Sequence, residues 1–276
     1  MFRTPFVGGN WKMNTGPESG PALAREVGAG AAKHPACEVA VFPPFPFLLA
    51  VGAALRATSA SSGTGGAADP ELALGARRGM VKLGAQDCYF EPNGAFTGEV
   101  SIDMLKDCGV SVVLTGHSER RHVLGETDAL INAKTKAVLG AGLECVLCIG
   151  EKLEQREAGQ TDAVNERQLR AGLAGVSAEQ MARVTIAYEP VWAIGTGKVA
   201  TTADAQDAHA KCRAVLAAMF GSAVAQATRI QYGGSLKPSN AAELLAQPDI
   251  DGGLVGGASL KASDFVPIIA AAAGRV

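Results

Sequence analysis

Short apolar runs alternate with longer amphipathic stretches along the 276 residues of this chain. The runs are rich in Val, Ile and Leu without strict alternation of apolar and polar positions, which is typical of strands buried on both faces of a parallel sheet. They predict eight strands, at residues 6–11, 38–42, 81–86, 111–115, 145–149, 184–189, 229–232 and 252–255. The stretches between them predict helices that include 18–33, 128–141, 161–173, 202–220 and 240–246, with Thr202 as an N-cap.

Eight successive β-then-α units indicate an α/β fold, a single (β/α)8 barrel domain over residues 1–276. A doubly wound open sheet is the alternative, but it would have fewer strands and a nucleotide-binding fingerprint. The glycines before Lys198 do not supply a P-loop, because Trp192 and Val199 stand where that motif needs glycine and Ser or Thr.

Residues 57–68 break the alternation with a low-complexity run rich in Ala, Ser and Gly, at the start of a longer segment at about 57–79. This composition predicts a flexible insertion between the second helix and the third strand. A helix-to-strand connection lies on the N-terminal face of a barrel, so we expect the insertion to be remote from catalysis.

Composition excludes several classes of function. A net charge of −2 and an aromatic content of 5% provide neither a basic patch for nucleic acid or membrane nor a stacking surface for bases. The first residues lack a signal-peptide core, and no apolar stretch approaches the ~20 residues that span a bilayer. Together with six scattered cysteines, these features favour a reduced, cytoplasmic setting.

Cys145 and Cys148 form a C-x-x-C spacing that occurs in redox and zinc sites. Here the pair lies within a predicted strand, where residues three apart point to opposite faces about 10 Å apart, too far for a disulfide. No second pair of ligands completes a metal set. We therefore interpret both cysteines as core residues.

Paired glycines follow the last two predicted strands, in Gly233-Gly234-Ser235 and in Gly256-Gly257. Barrel enzymes often bind phosphate with backbone N–H groups of these two loops. Turn formation alone explains two consecutive glycine pairs less well, and the 34 glycines of the chain exceed ordinary usage. The sequence therefore favours a phosphate site.

Three chemically capable residues follow other strands of the barrel. His117 lies beyond strand four at the predicted start of a helix, which disfavours the imidazolium ion and leaves a neutral hydrogen-bond donor. Glu189 ends strand six below the apolar residues 191–194, where desolvation would suit a general base. Lys12 places a positive charge near the same rim. The other histidines, His34, His122 and His209, are expected at the surface.

The chain resembles the triosephosphate isomerase family from end to end. The matching blocks are Gly9-Asn10-Trp11-Lys12-Met13-Asn14, Gly84-Ala85-Gln86, Gly94-Ala95-Phe96-Thr97-Gly98-Glu99, Thr115-Gly116-His117-Ser118-Glu119-Arg120-Arg121, Cys148-Ile149-Gly150-Glu151, residues 187–197 around Glu189, Tyr232-Gly233-Gly234-Ser235 and Leu254-Val255-Gly256-Gly257-Ala258-Ser259-Leu260. The resemblance implies interconversion of dihydroxyacetone phosphate and glyceraldehyde 3-phosphate through an enediol(ate), in glycolysis and gluconeogenesis.

The resemblance also implies roles for residues. Glu189 would be the carbon base, His117 the neutral electrophile and Lys12 the cation for intermediate and phosphate, with Glu119 in support. Substrate binding would fall to Asn10, Lys12, Gly195, Ser235, Gly256 and Gly257, without a metal or organic cofactor. Residues 190–198 would form a closing lid.

The family is typically homodimeric, and the loop after strand three, at about residues 87–99, would insert beside the partner's site. Thr97 would reach toward residues 10–12 of the partner. The chain departs from many relatives at Asp87, where they carry asparagine, and in the longer 57–79 segment. An acid at position 87 is expected to make dimer affinity depend on pH.

Two alternative functions are an isomerase of a larger sugar phosphate and an inactive binding protein on the same fold. The lid block around Glu189, which closes over a small substrate, argues against the first. The joint presence of Lys12, His117 and Glu189, which no structural need explains, argues against the second.

Overall fold

Eight parallel strands form a closed barrel in chain order, with β1 paired to both β2 and β8. The computed structural model describes residues 3–61, 80–193 and 200–275. The strands are β1 (Phe6–Asn10), β2 (Glu38–Phe42), β3 (Val81–Ala85), β4 (Val112–Thr115), β5 (Glu144–Ile149), β6 (Val184–Tyr188), β7 (Arg229–Tyr232) and β8 (Gly252–Val255). The closed barrel confirms the predicted fold class, and each predicted strand matches an observed one within one residue at either end.

Helices separate the strands along the described parts of the chain. They are α1 (Ser19–Ala31), α2 (Leu48–Ser61), α3 (Ile102–Asp107), α4 (Ser118–His122), α5 (Asp128–Gly140), α6 (Leu153–Glu157), α7 (Thr161–Gly172), α8 (Thr202–Phe220), α9 (Ser222–Ala227), α10 (Pro238–Leu245) and α11 (Ala262–Ala273). Within these residues, no helix combines the length and the apolar character needed to cross a membrane.

Two expectations about helix boundaries are corrected. The N-cap of α8 is Thr201, not Thr202, because the Thr201 hydroxyl accepts a hydrogen bond from Asp204 N and the Asp204 carboxylate accepts one from Thr201 N. Helix α2 continues through Ser61, so the first five residues of the 57–79 segment are helical, not a loop. Residues 62–79 of that segment lie outside the described residues.

The core has two layers, one inside the barrel and one between the strands and the helices. Cys148 packs in the inner layer with Phe6, Phe42 and Leu114, while Cys145 packs in the outer layer. All six cysteines are unpaired, and the two of the C-x-x-C spacing lie on opposite faces of β5, as predicted. His209 corrects another expectation, since its side chain is fully buried against the rings of Tyr188 and Tyr232.

A ring of alternating charges closes the end of the barrel where the strands begin. Lys82 Nζ lies 2.8 Å from Glu38 Oε2 and 2.6 Å from Glu144 Oε1, and Arg229 Nη1 lies 2.8 Å from the same Glu38 oxygen. The Lys82 and Arg229 cations also face the buried ring of Phe6. The carboxyl ends of the strands are thus the end at which a site can open.

Candidate active site

The described residues expected to bind or transform a substrate meet at the carboxyl end of the barrel. Asn10 ends β1, His117 and Glu189 follow β4 and β6, and the glycine pairs follow β7 and β8. They line one cavity of about 710 Å³, whose walls include Asn10, Lys12, His117, Glu189, Ser235, Gly256 and Gly257. Gly195, also expected here, lies outside the described residues.

Glu189 and His117 are in direct contact although both side chains are buried. The Nε2 atom of His117 lies 3.0 Å from Glu189 Oε1, and the backbone N–H of Ser118 donates to Oε2 at 2.9 Å. Only 2% of Glu189 and 5% of His117 are exposed. The carboxylate therefore has a donor at each oxygen, as a buried charge requires.

The backbone fixes which ring nitrogen of His117 carries the proton. His117 caps α4, and its Nδ1 accepts the N–H of Glu119 at 3.3 Å, which only an unprotonated nitrogen can do. Nε2 therefore carries the hydrogen and donates it to Glu189. This is the tautomer that a neutral electrophile requires.

Opposing effects set the pKa values of this pair. Burial raises the pKa of Glu189. The His117 ring, the Ser118 N–H and Lys12 together lower it by more, so the net pKa is below the usual carboxyl value. Burial lowers the pKa of His117, but the facing Glu189 carboxylate raises it by more, and this net effect opposes the neutral ring expected from the start of a helix. Glu189 is thus held ionised, as a base must be, while it bonds His117.

Lys12 occupies a strained position at the rim. Its backbone φ of 52° lies in the left-handed region, which residues with a Cβ rarely adopt and which clusters at functional sites. Asn10 Oδ1 accepts the Lys12 N–H at 3.0 Å, and Gln86 Nε2 donates to the Lys12 carbonyl at 2.8 Å. The Nζ donates to Glu119 Oε1 at 2.6 Å, which directs the ammonium across the mouth of the barrel.

Close packing explains why glycines follow β7, whereas a Cβ would be accommodated at the two glycines after β8. A Cβ on Gly233 would lie 2.7 Å from Cγ of Glu189, so only glycine lets this backbone pass the carboxylate. Gly256 lies against the Lys12 side chain, with a virtual Cβ 3.4 Å from Cε. The 3₁₀ helix Gly257–Leu260 begins at the cavity wall, with its first N–H groups at that end.

Glu151 anchors the segment that follows Glu189. Its fully buried carboxylate accepts hydrogen bonds from Tyr188 Oη at 3.1 Å and from Trp192 Nε1 at 2.8 Å. Its carbonyl accepts the N–H of Val191 at 3.1 Å. The apolar segment 191–193 is thereby held over the site, with Ala193 lining the cavity.

Sequence reasoning did not assign roles to three residues that the structure connects to the site. Gln86, Ser118 and Glu151 each lie within a matching sequence block. Gln86 directly follows β3 and Glu151 lies two residues after β5, so a polar residue close to the end of a buried strand was the available signal. Ser118 contributes its backbone N–H, for which the residue type gives no signal. Conversely, Thr97 is exposed and does not line the cavity of its own chain. Glu119 contacts the site through Lys12 and through the N–H it donates to His117.

Comparisons with known proteins agree with this geometry. The family model described as triosephosphate isomerase matches residues 5–272. The chain belongs to the triosephosphate isomerase family. This confirms the predicted family and the predicted class of enzyme, an isomerase of triose phosphates.

Curated relatives match over nearly their whole length. Triosephosphate isomerase of Herpetosiphon aurantiacus is 49% identical over 97% of this chain and 99% of the relative. The same enzyme of Carboxydothermus hydrogenoformans is 50% identical, covering 97% and 98% respectively. That of Chlorobium chlorochromatii is 46% identical, covering 99% of this chain and 100% of its own.

Proposed function

We propose that Glu189, His117 and Lys12 perform in this chain the reaction of its family, the reversible interconversion of dihydroxyacetone phosphate and D-glyceraldehyde 3-phosphate in glycolysis and gluconeogenesis. The observation that carries this assignment is the buried contact of 3.0 Å between the His117 ring and the Glu189 carboxylate. A base and a hydrogen-bond donor are thus placed side by side in a cavity whose rim carries a cation. These are the groups that proton transfer next to a carbonyl requires.

Substrate must separate the two side chains. The carbonyl oxygen takes the place of Glu189 as the acceptor for His117 Nε2–H, and the carboxylate turns toward the adjacent carbon. Glu189 removes a proton from that carbon, the C–H electrons form the enediolate double bond, and the carbonyl electrons move to oxygen. The carboxylic acid then returns the proton to the neighbouring carbon, while His117 mediates proton exchange at the two oxygens.

Lys12 stabilises the negative charge that develops on the oxygens and the charge of the phosphate. Asn10 orients the substrate oxygens, and Glu119 holds the Lys12 ammonium, which it contacts at 2.6 Å. Backbone N–H groups of Ser235, Gly256, Gly257 and Gly195 bind the phosphate. No metal or organic cofactor takes part in this scheme.

The segment 190–198 acts as a lid that excludes water from the enediolate. Its beginning is supported by the hydrogen bond of 2.8 Å from Trp192 to Glu151. Residues 194–199 lie outside the described part of the chain.

The proposed assembly is a cytoplasmic homodimer of a single barrel domain with an insertion at 57–79. Two large apolar side chains at the rim favour the dimer, since Met13 is 95% exposed and Phe96 is 39% exposed in the isolated chain. Met13 is adjacent in the chain to Lys12, and Phe96 is adjacent to Thr97, and both Lys12 and Thr97 are expected at the interface. Thr97 would complete the partner's site near residues 10–12.

A coupled assay with glyceraldehyde 3-phosphate and purified protein tests the proposed reaction. We expect turnover that is abolished in Glu189→Gln, with Asp103→Asn as a control for removal of an exposed acid. Activity on a larger sugar phosphate alone would favour the alternative isomerase. Absence of turnover on any sugar phosphate would favour the inactive binding protein.

A further inference from the structure

Arg121 bridges two backbone carbonyls beneath the catalytic pair. Its side chain is 6% exposed, although it carries a charge that burial disfavours. Nε donates to the Gly116 carbonyl at 2.7 Å, and Nη2 donates to the Cys148 carbonyl at 3.0 Å. Nη1 donates to Asp128 Oδ1 at 2.6 Å, so the guanidinium is held from three directions.

The two carbonyls belong to neighbouring strands at the point where their pairing stops. The β4–β5 ladder ends with Thr115 opposite Leu147, and Gly116 and Cys148 are the next residues on each strand. Gly116 turns away with φ of 69°, and a Cβ there would lie 2.8 Å from Arg121 Nη2. The planar guanidinium therefore joins the strands where backbone bonds no longer do.

This bridge connects the backbones that carry His117 and Glu189. Gly116 directly precedes His117. Cys148 directly precedes Ile149, whose carbonyl accepts the backbone N–H of Glu189 at 2.7 Å. A closed path thus runs from the His117 ring through Gly116, Arg121 and Ile149 to the Glu189 carboxylate.

We infer that Arg121 is a positioning residue for the proton transfer, because it sets the spacing of His117 and Glu189 through the Gly116 and Cys148 carbonyls. This inference rests on the proposed function. Within the described residues, the Arg121 side chain donates to Gly116, Cys148 and Asp128 and not to the His117 ring or the Glu189 carboxylate, and it does not line the cavity. Its loss should therefore impair the chemical step more than the binding of substrate.

The test compares Arg121→Lys and Arg121→Met with Arg183→Gln in the coupled assay. Lysine keeps the charge but has no planar fork to reach both carbonyls. We expect kcat to fall about 10- to 100-fold in both Arg121 variants while KM stays within about twofold. Arg183 donates to the Leu139 carbonyl at 3.1 Å near the start of β6, so Arg183→Gln removes a similar bond from the opposite end of the barrel and should leave kcat unchanged.

Proton NMR supplies a readout that a merely structural role would not move. The downfield Nε2–H resonance of His117, assigned by its loss in His117→Gln, should move upfield in Arg121→Lys as the bond to Glu189 weakens. Wild-type kcat in folded Arg121→Lys, or an unchanged resonance, would overturn the inference. Inactivity of the wild-type protein, or full activity of Glu189→Gln, would instead overturn the proposed function.

Discussion

Glu189 accepts a hydrogen bond from His117 at 3.0 Å in a site that buries both side chains almost completely. Each group controls the charge of the other, because the ring is the main attraction that lowers the carboxyl pKa and the carboxylate is the main effect that raises the pKa of the ring. A change at either residue therefore alters how far the Glu189 carboxylate extends into the site, the pH at which it is protonated, or both. The first two predictions separate these effects.

Glu189→Asp tests the reach of the base. The shorter side chain withdraws the carboxylate by about one bond length while it keeps the negative charge. We expect kcat to fall about 100- to 1000-fold with little change in KM, because misplacement by about 1 Å is costly for the chemical step. Steady-state kinetics in the coupled assay measure both constants. A variant that retains near-wild-type kcat would remove Glu189 from the role of base.

His117→Gln tests the protonation of the base. Loss of the ring removes the largest effect that lowers the pKa of Glu189, and burial then raises that pKa. An acid with a raised pKa is neutral at higher pH, so the acid limb of the kcat/KM profile should shift to higher pH. The pH dependence of the residual activity measures this shift. A limb at the wild-type position would show that His117 does not lower the pKa of Glu189.

The sequence predicted those parts of the site that follow from strand order. Residues that follow buried parallel strands meet at one rim, and this rule alone brings Lys12, His117 and Glu189 together. Side-chain orientation does not follow from strand order. The bond between His117 and Glu189 depends on a cap at the start of α4, and the Arg121 bridge depends on where the β4–β5 ladder stops.

Helix ends were harder to predict than strands because they depend on contacts that the local sequence does not show. Residues 57–61 have the composition of a loop, yet they continue α2, where the Thr58 hydroxyl donates to the carbonyl of Ala54 and its methyl packs against Gly28 of α1. Such tertiary contacts override weak helix propensity. His209 was misplaced for a similar reason, since one polar residue on a helix face gives no signal of the rings that cover it.

Replacement of residues 62–79 by a short flexible linker tests the placement of the insertion. The flanking elements, the end of α2 and the start of β3, lie at the end of the barrel opposite to Glu189. We expect stability or solubility to change while kcat/KM stays within about twofold of wild type. Denaturation and the coupled assay measure the two effects. A large kinetic loss in a folded variant would contradict a location remote from catalysis.

Thr97→Arg tests the proposed dimer. We expect the wild-type protein to have twice the 28.1 kDa mass of the chain in light scattering after size exclusion. A bulky charge at the proposed contact should shift the protein toward monomer and lower kcat. Asp103→Asn serves as a surface control. A monomeric, fully active wild-type protein would exclude both the dimer and the role of Thr97.

Asp87 lies in a buried cluster of two acids and two cations. Its carboxylate contacts Lys134 Nζ and Arg120 Nη2, each at 2.8 Å, and Glu126 shares both cations. Only 3% of Asp87 is exposed in the isolated chain. Its charge therefore acts on the stability of the protomer itself, in addition to any effect on a dimer interface.

Asp87→Asn tests the effect of that charge on stability. Burial is the main effect that raises the pKa of Asp87 to about 6. The neighbouring Glu126 also raises this pKa, while Lys134 and Arg120 lower it. Because the folded pKa exceeds the unfolded value, protonation stabilises the fold, and this stabilisation is lost as pH rises from about 4 through 6. The full effect is about 2–3 kcal/mol.

Asparagine cannot ionise, so the variant should gain stability relative to wild type as pH rises from 5 to 7.5. Urea denaturation at fixed protein concentration measures the difference in unfolding free energy between the variant and the wild type, with Asp103→Asn as the control. A difference that does not change with pH would show that Asp87 is ionised throughout this range.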